Sequence, residues 1–137
     1  MKVLVDTPIW SIVLRRKGRD DNNTSLRSAL ASLVEDGRVA MIGAIRQELL
    51  SGIREHAHFD RLREHLRAFP DTEALVDDYE EAAAFYNRCR ARGIQGSNTD
   101  FLICAIAARN DYSIFTTDDD FTHFAKVLPI TLHDRDK

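Results

Sequence analysis

Met1-Lys2-Val3-Leu4-Val5-Asp6-Thr7-Pro8 is the stretch that decides the fold. Val3, Leu4 and Val5 form a short apolar run rich in β-branched residues, the pattern of a strand buried on both faces, as in a parallel sheet. The run stops at a carboxylate. Thr7 suits a helix N-cap and Pro8 the first helical position, so Asp6 sits where a strand hands over to a helix. In open α/β sheets ligands gather outside the carboxyl ends of the strands, and an acid there is placed to hold a metal. The competing reading makes Asp6 a plain helix-start residue, and the rest of the chain must decide between them.

Outward from this stretch, the same alternation recurs. Val39-Ala40-Met41-Ile42, Ser113-Ile114-Phe115-Thr116 and Pro129-Ile130-Thr131-Leu132 are short apolar runs of strand character. Between them lie helical patterns. Residues 8–17 end on Arg15-Arg16-Lys17 before Gly18, and Leu26, Leu30, Leu33 and Val34 mark a helix from Thr24 or Ser25 to near Gly37. Further helices are expected from Ile45 towards Gly52, over 54–68, over 77–92 and over 99–110, with residues 73–76 as a short edge strand. The segment 99–110 is nearly all apolar and is therefore expected to be central. Parallel strands joined by helical crossovers follow, giving a three-layer α/β fold. Its small parallel sheet should have about four to five strands flanked by helices, in a single domain over residues 1–137.

The chain has 137 residues, 44% apolar and 30% charged, ordinary values for a soluble globular protein. No apolar run approaches the roughly 20 residues needed to span a bilayer, and no leader pattern opens the chain, so no membrane association and a cytoplasmic location are expected. Cys89 and Cys104 fall in helical patterns without zinc-ligand spacing and are expected as buried free thiols. The net charge of −3 neither requires nor excludes a nucleic-acid partner. Five of the 22 acids are candidates for one site, and metal ions bound there would offset their repulsion of phosphates.

Those acids stand out because their surroundings are apolar. Asp6 follows Val3-Leu4-Val5, Glu48 precedes Leu49-Leu50, Asp100 precedes Phe101-Leu102-Ile103, and Asp118 follows the strand ending near Phe115, with Asp120 two residues on. Asp6 and Asp118 occupy equivalent positions on two parallel strands. Each has a plainer alternative: a helix cap for Asp100, a solvated turn for 118–120, an exposed helix face for Glu48. Clustered carboxylates raise one another's pKa unless a cation is present, and hard oxygen donors suit Mg²⁺ or Mn²⁺ rather than zinc.

Asp6-Thr7 after the first strand, Glu48 with Leu49 and Gly52, Thr99-Asp100 opening an apolar helix, and Thr117-Asp118-x-Asp120-Phe121 together resemble a PIN domain, and in length the chain is similar to the VapC toxins of bacterial toxin–antitoxin pairs. The resemblance implies a PIN-like fold and a Mg²⁺-dependent endoribonuclease specific for single strands. It implies Asp6, Glu48, Asp100 and Asp118 as a catalytic quartet, with Asp6, Asp100 and Asp118 as metal ligands. Asp120 would be an auxiliary acid, and Thr7 and Thr117 would orient the site through their hydroxyls. It also implies a VapB-type antitoxin as partner, laid into a groove, and a homodimer, with helices 8–17 and 45–66 expected to supply both surfaces. Arg15, Arg16, Lys17 and Arg46 are the foremost candidates for holding RNA, alongside Arg19, Arg54, Arg61 and Arg63. Trp10 is expected in the core rather than stacked on a base. Two other readings remain: a non-catalytic PIN-like module that binds RNA or a partner, and a receiver-like phosphoryl-transfer domain.

Overall fold

A computed structural model describes residues 1–14 and 23–134. Four strands, β1 (Val3–Val5), β2 (Val39–Ala40), β3 (Ser113–Phe115) and β4 (Thr131–Leu132), make one parallel sheet in the order β2-β1-β3-β4. Val3 pairs with Val39 on one side and Ser113 on the other, and Val5 pairs with Phe115. Both inner strands are fully buried, so their unbroken apolar runs meet helices on both faces. Among the described residues the sheet has the lower of the expected strand numbers.

The order of the strands matters for function. From β1 the chain crosses to β2 at one side, then returns to lay β3 on the other side of β1. The direction of winding reverses between β1 and β3, which opens a crevice at their carboxyl ends.

The connecting helices are α1 (Thr7–Leu14), α2 (Thr24–Glu35), α3 (Gly43–Leu50), α4 (His56–Leu66), α5 (Val76–Arg90), α6 (Asn98–Asn110) and α7 (Asp120–Phe124). The basic end expected for the first helix, Arg15-Arg16-Lys17, lies outside the described residues. Every residue from Phe101 to Ala107 is buried, which makes α6 the central helix its composition implies, and α5 packs along it. Phe101, Phe121 and Phe124 pack together, completely enclosed, at its first turns, and Phe115 is enclosed on β3. Trp10 is also a core residue: its Nε1 donates to the Val5 carbonyl at 3.1 Å and its ring meets Phe69 edge-on.

Residues 73–76 do not form the expected edge strand. Pairing at that edge is a single parallel bridge two residues earlier, Met41 with Asp71, where the Thr72 amide donates to the Met41 carbonyl at 2.8 Å. By Leu75 the backbone amide is already committed to the Asp78 carboxylate at 2.8 Å, which caps α5. The turn before it is held by Arg46, whose guanidinium binds Asp71 and the carbonyls of Leu66 and Phe69.

Candidate active site

Asp6 ends β1 at the reversal point and is only 4% exposed. Its backbone stays in the sheet, the amide donating to Phe115 O at 2.9 Å, while its own carbonyl accepts the first bonds of α1. The helix therefore starts at Thr7 rather than after it. The Thr7 amide donates to Oδ1 at 2.8 Å, and the Thr116 hydroxyl donates to Oδ2 at 2.8 Å. These bonds favour the charged form, but burial outweighs them. With the added repulsion of Asp100 and Glu48, the carboxyl is pushed up to about 6.

Asp100 sits in the first turn of α6. The helix-cap reading is realised: the Ser97 amide donates to Oδ2 at 3.0 Å and the Asp100 amide donates to Ser97 Oγ at 3.1 Å. Capping does not remove Asp100 from the acidic group. Burial raises its pKa first, and the charges of Asp118 and then Asp120 raise it further. Glu48 is exposed on α3, yet its Oε2 accepts the Thr7 hydroxyl at 3.0 Å. Asp118 follows β3. Its amide donates to Thr116 Oγ1 at 3.0 Å, and its Oδ1 accepts the Asp120 amide at 2.9 Å.

The four expected acids therefore come from β1, α3, α6 and the β3–α7 connection and act on one another electrostatically. Two threonines bind them together. Thr7 links Asp6 to Glu48; Thr116 donates to Asp6 and accepts from Asp118. An orienting hydroxyl was expected of Thr117; among the described residues it is Thr116 that forms such bonds and Thr117 forms none. Its neighbour is used because Thr116 directly follows the β3 residue whose carbonyl receives the Asp6 amide.

Arg46 is also corrected. Only 23% of its side chain is exposed, and its donors are occupied by Asp71 and two carbonyls, so it anchors the α4–α5 connection instead of offering a cation to RNA. Arg15, Arg16, Lys17 and Arg19 lie outside the described residues. Cys89 and Cys104 are buried free thiols, and burial pushes both further from ionisation.

Among the described residues, no three His, Cys, Asp or Glu side chains are grouped closely enough to hold a metal ion as they stand. The donor chemistry nonetheless fits a hard divalent cation. The group is all carboxylate and hydroxyl, and Asp6, whose pKa is raised first by burial and then by the charges of Asp100 and Glu48, would gain from a cation beside it.

Fold and site together define an α/β protein with an all-carboxylate site at the reversal point of a small parallel sheet. The chain belongs to the PIN domain family, whose match covers residues 3–127. Comparison with curated proteins gives no sequence match. Among solved structures, the chain is similar to a chain of VapBC2 from Rickettsia felis, solved bound to a DNA fragment from their promoter (TM-score 0.76, 14% identity, 97% of this chain and 98% of that one). It is similar to a chain of VapBC-1 from nontypeable Haemophilus influenzae (TM-score 0.73, 15% identity, 100% of both chains). It also resembles a chain of the FitAcB structure from Neisseria gonorrhoeae (TM-score 0.69, 20% identity, 97% of both chains). At these identities the likeness is one of fold.

Proposed function

We propose that this chain is a Mg²⁺-dependent endoribonuclease of the VapC type, the toxin of a toxin–antitoxin pair, acting on single-stranded RNA. The observation that carries the reading is the meeting of Asp6, Glu48, Asp100 and Asp118 at the sheet's reversal point in a PIN domain. Asp6, Asp100 and Asp118 would hold the ion, Mg²⁺ or Mn²⁺. When bound, it supplies an activated water and charge stabilisation at the phosphate. Glu48, oriented by Thr7, accepts a proton or positions water. Thr116 fixes Asp6 and the backbone of Asp118 in one arrangement, and Asp120 adds negative charge beside Asp100. Water rather than the 2′-hydroxyl attacks, leaving 5′-phosphate and 3′-hydroxyl ends.

The partner in this reading is a VapB-type antitoxin. The structural relatives are VapBC and FitAcB structures. A groove of about 800 Å³ between α1, α3 and α4, with Leu14, Leu49, Ile53 and Leu62 in its walls and His58 and Arg61 on its rim, suits an inserted peptide. A homodimer belongs to the same reading. Its surface could be the expected helices, where Leu14 is exposed, or Leu75, Val76 and Tyr79, exposed at the start of α5.

The test is cleavage of single-stranded RNA by purified protein with Mg²⁺ and with chelator, followed by chemical analysis of the ends. Metal-dependent cleavage leaving 5′-phosphates is expected, with Asp6→Asn inactive. Metal-independent cleavage or 2′,3′-cyclic phosphate ends would reject the mechanism. Co-purification with the product of the adjacent reading frame tests the antitoxin.

A further inference from the structure

The run Asp118-Asp119-Asp120 contains one acid that the proposed chemistry does not use. Asp118 and Asp120 both act on Asp100, whereas Asp119 faces a different space. A cavity of about 500 Å³ opens beside the acidic crevice, with Thr116 and Asp118 common to both and Thr117 in its lining. Its volume lies in the usual range for a small-ligand site. Ile114, Leu26 and Leu132 give it an apolar floor. Its rim is polar: Asn23 and Ser25 at the start of α2, Thr122 and Asp119 at α7, and His133 just after β4. The His133 ring is packed against Phe115, with centroids 5.1 Å apart, and its backbone amide is bonded to Ile114 O at 2.8 Å, so the imidazole is held in place at the rim.

The charge of this lining discriminates between the parts of a nucleotide. Among the described residues Asp119 is the lining carboxylate outside the proposed metal ligands at the crevice side, while the charge of Arg38 acts on His133 at the opposite rim. Next to Asp119 a phosphate is disfavoured. A flat ring with an apolar face and polar edges is accommodated, and a carboxylate on the rim accepts from an amino group while repelling a carbonyl oxygen.

We propose that this cavity is a base subsite, taking the nucleobase next to the cleaved phosphodiester and favouring one with an exocyclic amino group over uracil. The inference rests on the nuclease reading of the neighbouring crevice and names part of its substrate preference. Asp119 is the selecting residue; the floor and His133 supply packing that any base can use.

The experiment has two arms. In the first, adenosine, cytidine and uridine are titrated separately into the full-length protein, followed by the amide resonances of Thr117, Asp119 and His133. Adenosine and cytidine are expected to shift these signals and uridine to shift them several-fold less. Shifts equal for uridine, or no shifts at this cavity, overturn the proposal. Nucleosides contain no phosphodiester, so this arm is independent of cleavage. In the second, cut sites in a random-sequence RNA are compared for the parent and Asp119→Asn. The parent should show about tenfold depletion of uracil at one position beside the cut. The variant, whose amide can donate as well as accept, should lose that bias while keeping total cleavage within about threefold. A bias unchanged in the variant overturns the proposal. If the parent cuts no RNA, the nuclease reading falls and the nucleoside arm alone decides whether the cavity takes a base.

Discussion

At the scale of the residue, Asp6 shows the conflict on which the site is built. Its carboxyl is raised from the ordinary 3.8 to about 6, so the folded protein holds this proton more tightly than the unfolded chain does. Without divalent ions, the favourable contribution is complete below about pH 4 and is lost as pH rises through about 6, a change of about 3 kcal/mol for a shift of this size. Asp6→Asn removes the charge and can keep both hydrogen bonds. In chelator at pH 7.5 it should therefore melt above the parent, and at pH 4 the difference should shrink towards zero. Equal melting at pH 7.5 would show that burial costs Asp6 little. Thr116→Val tests the hydroxyl between Asp6 and Asp118. A loss of about 1–2 kcal/mol in urea unfolding and a larger fall in RNA cleavage are expected, with Thr116→Ser restoring both and Thr117→Val changing neither. The acids were legible in the sequence because each adjoins an apolar run or the end of a strand. The threonine was not, because which of two adjacent hydroxyls meets Asp6 depends on where β3 ends relative to β1, a matter of register between strands more than 100 residues apart.

At the scale of the element, α6 delivers Asp100, and its start is fixed by packing as much as by its cap. A Cβ on Gly96 would lie 2.5 Å from Cζ of Phe124 and 3.0 Å from the Phe101 ring. Both rings are fully enclosed, so neither can swing away without disturbing the aromatic cluster. Gly96→Ala should cost about 1–3 kcal/mol by overpacking, measured by urea unfolding, and should lower cleavage further because Ser97 and Asp100 follow immediately. A variant as stable and as active as the parent would show that the cluster yields. Helix α6 was readable almost to its ends, since Ser97, Asp100 and the apolar run announce cap and core together. The segment 73–76 was misread for the opposite reason. Its residues are compatible with a strand, but Arg46, distant in sequence, fastens Asp71, and Asp78 captures the Leu75 amide, so the backbone bonds a strand needs are already taken.

At the scale of the whole molecule, the four acids come from four elements: β1, α3, α6 and the connection into α7. Two threonine hydroxyls tie three of them together, but the mutual repulsion of the acids works against closure. A cation shared by Asp6, Asp100 and Asp118 would join the centre of the sheet to its main helix. Binding should then stabilise the fold as a whole, by about 1.4 kcal/mol when the free ion is tenfold above its dissociation constant. The melting temperature should rise saturably with MgCl₂ at fixed ionic strength, and sodium chloride should not reproduce the rise. Asp6→Asn, Asp100→Asn and Asp118→Asn should each lose most of it, although they alter different elements. Asp36→Asn, at the exposed end of α2, should keep it. A magnesium response absent from the parent, or one surviving all three site substitutions, would mean that the acids do not act through a shared ion. A response lost in only one would confine the ion to that element.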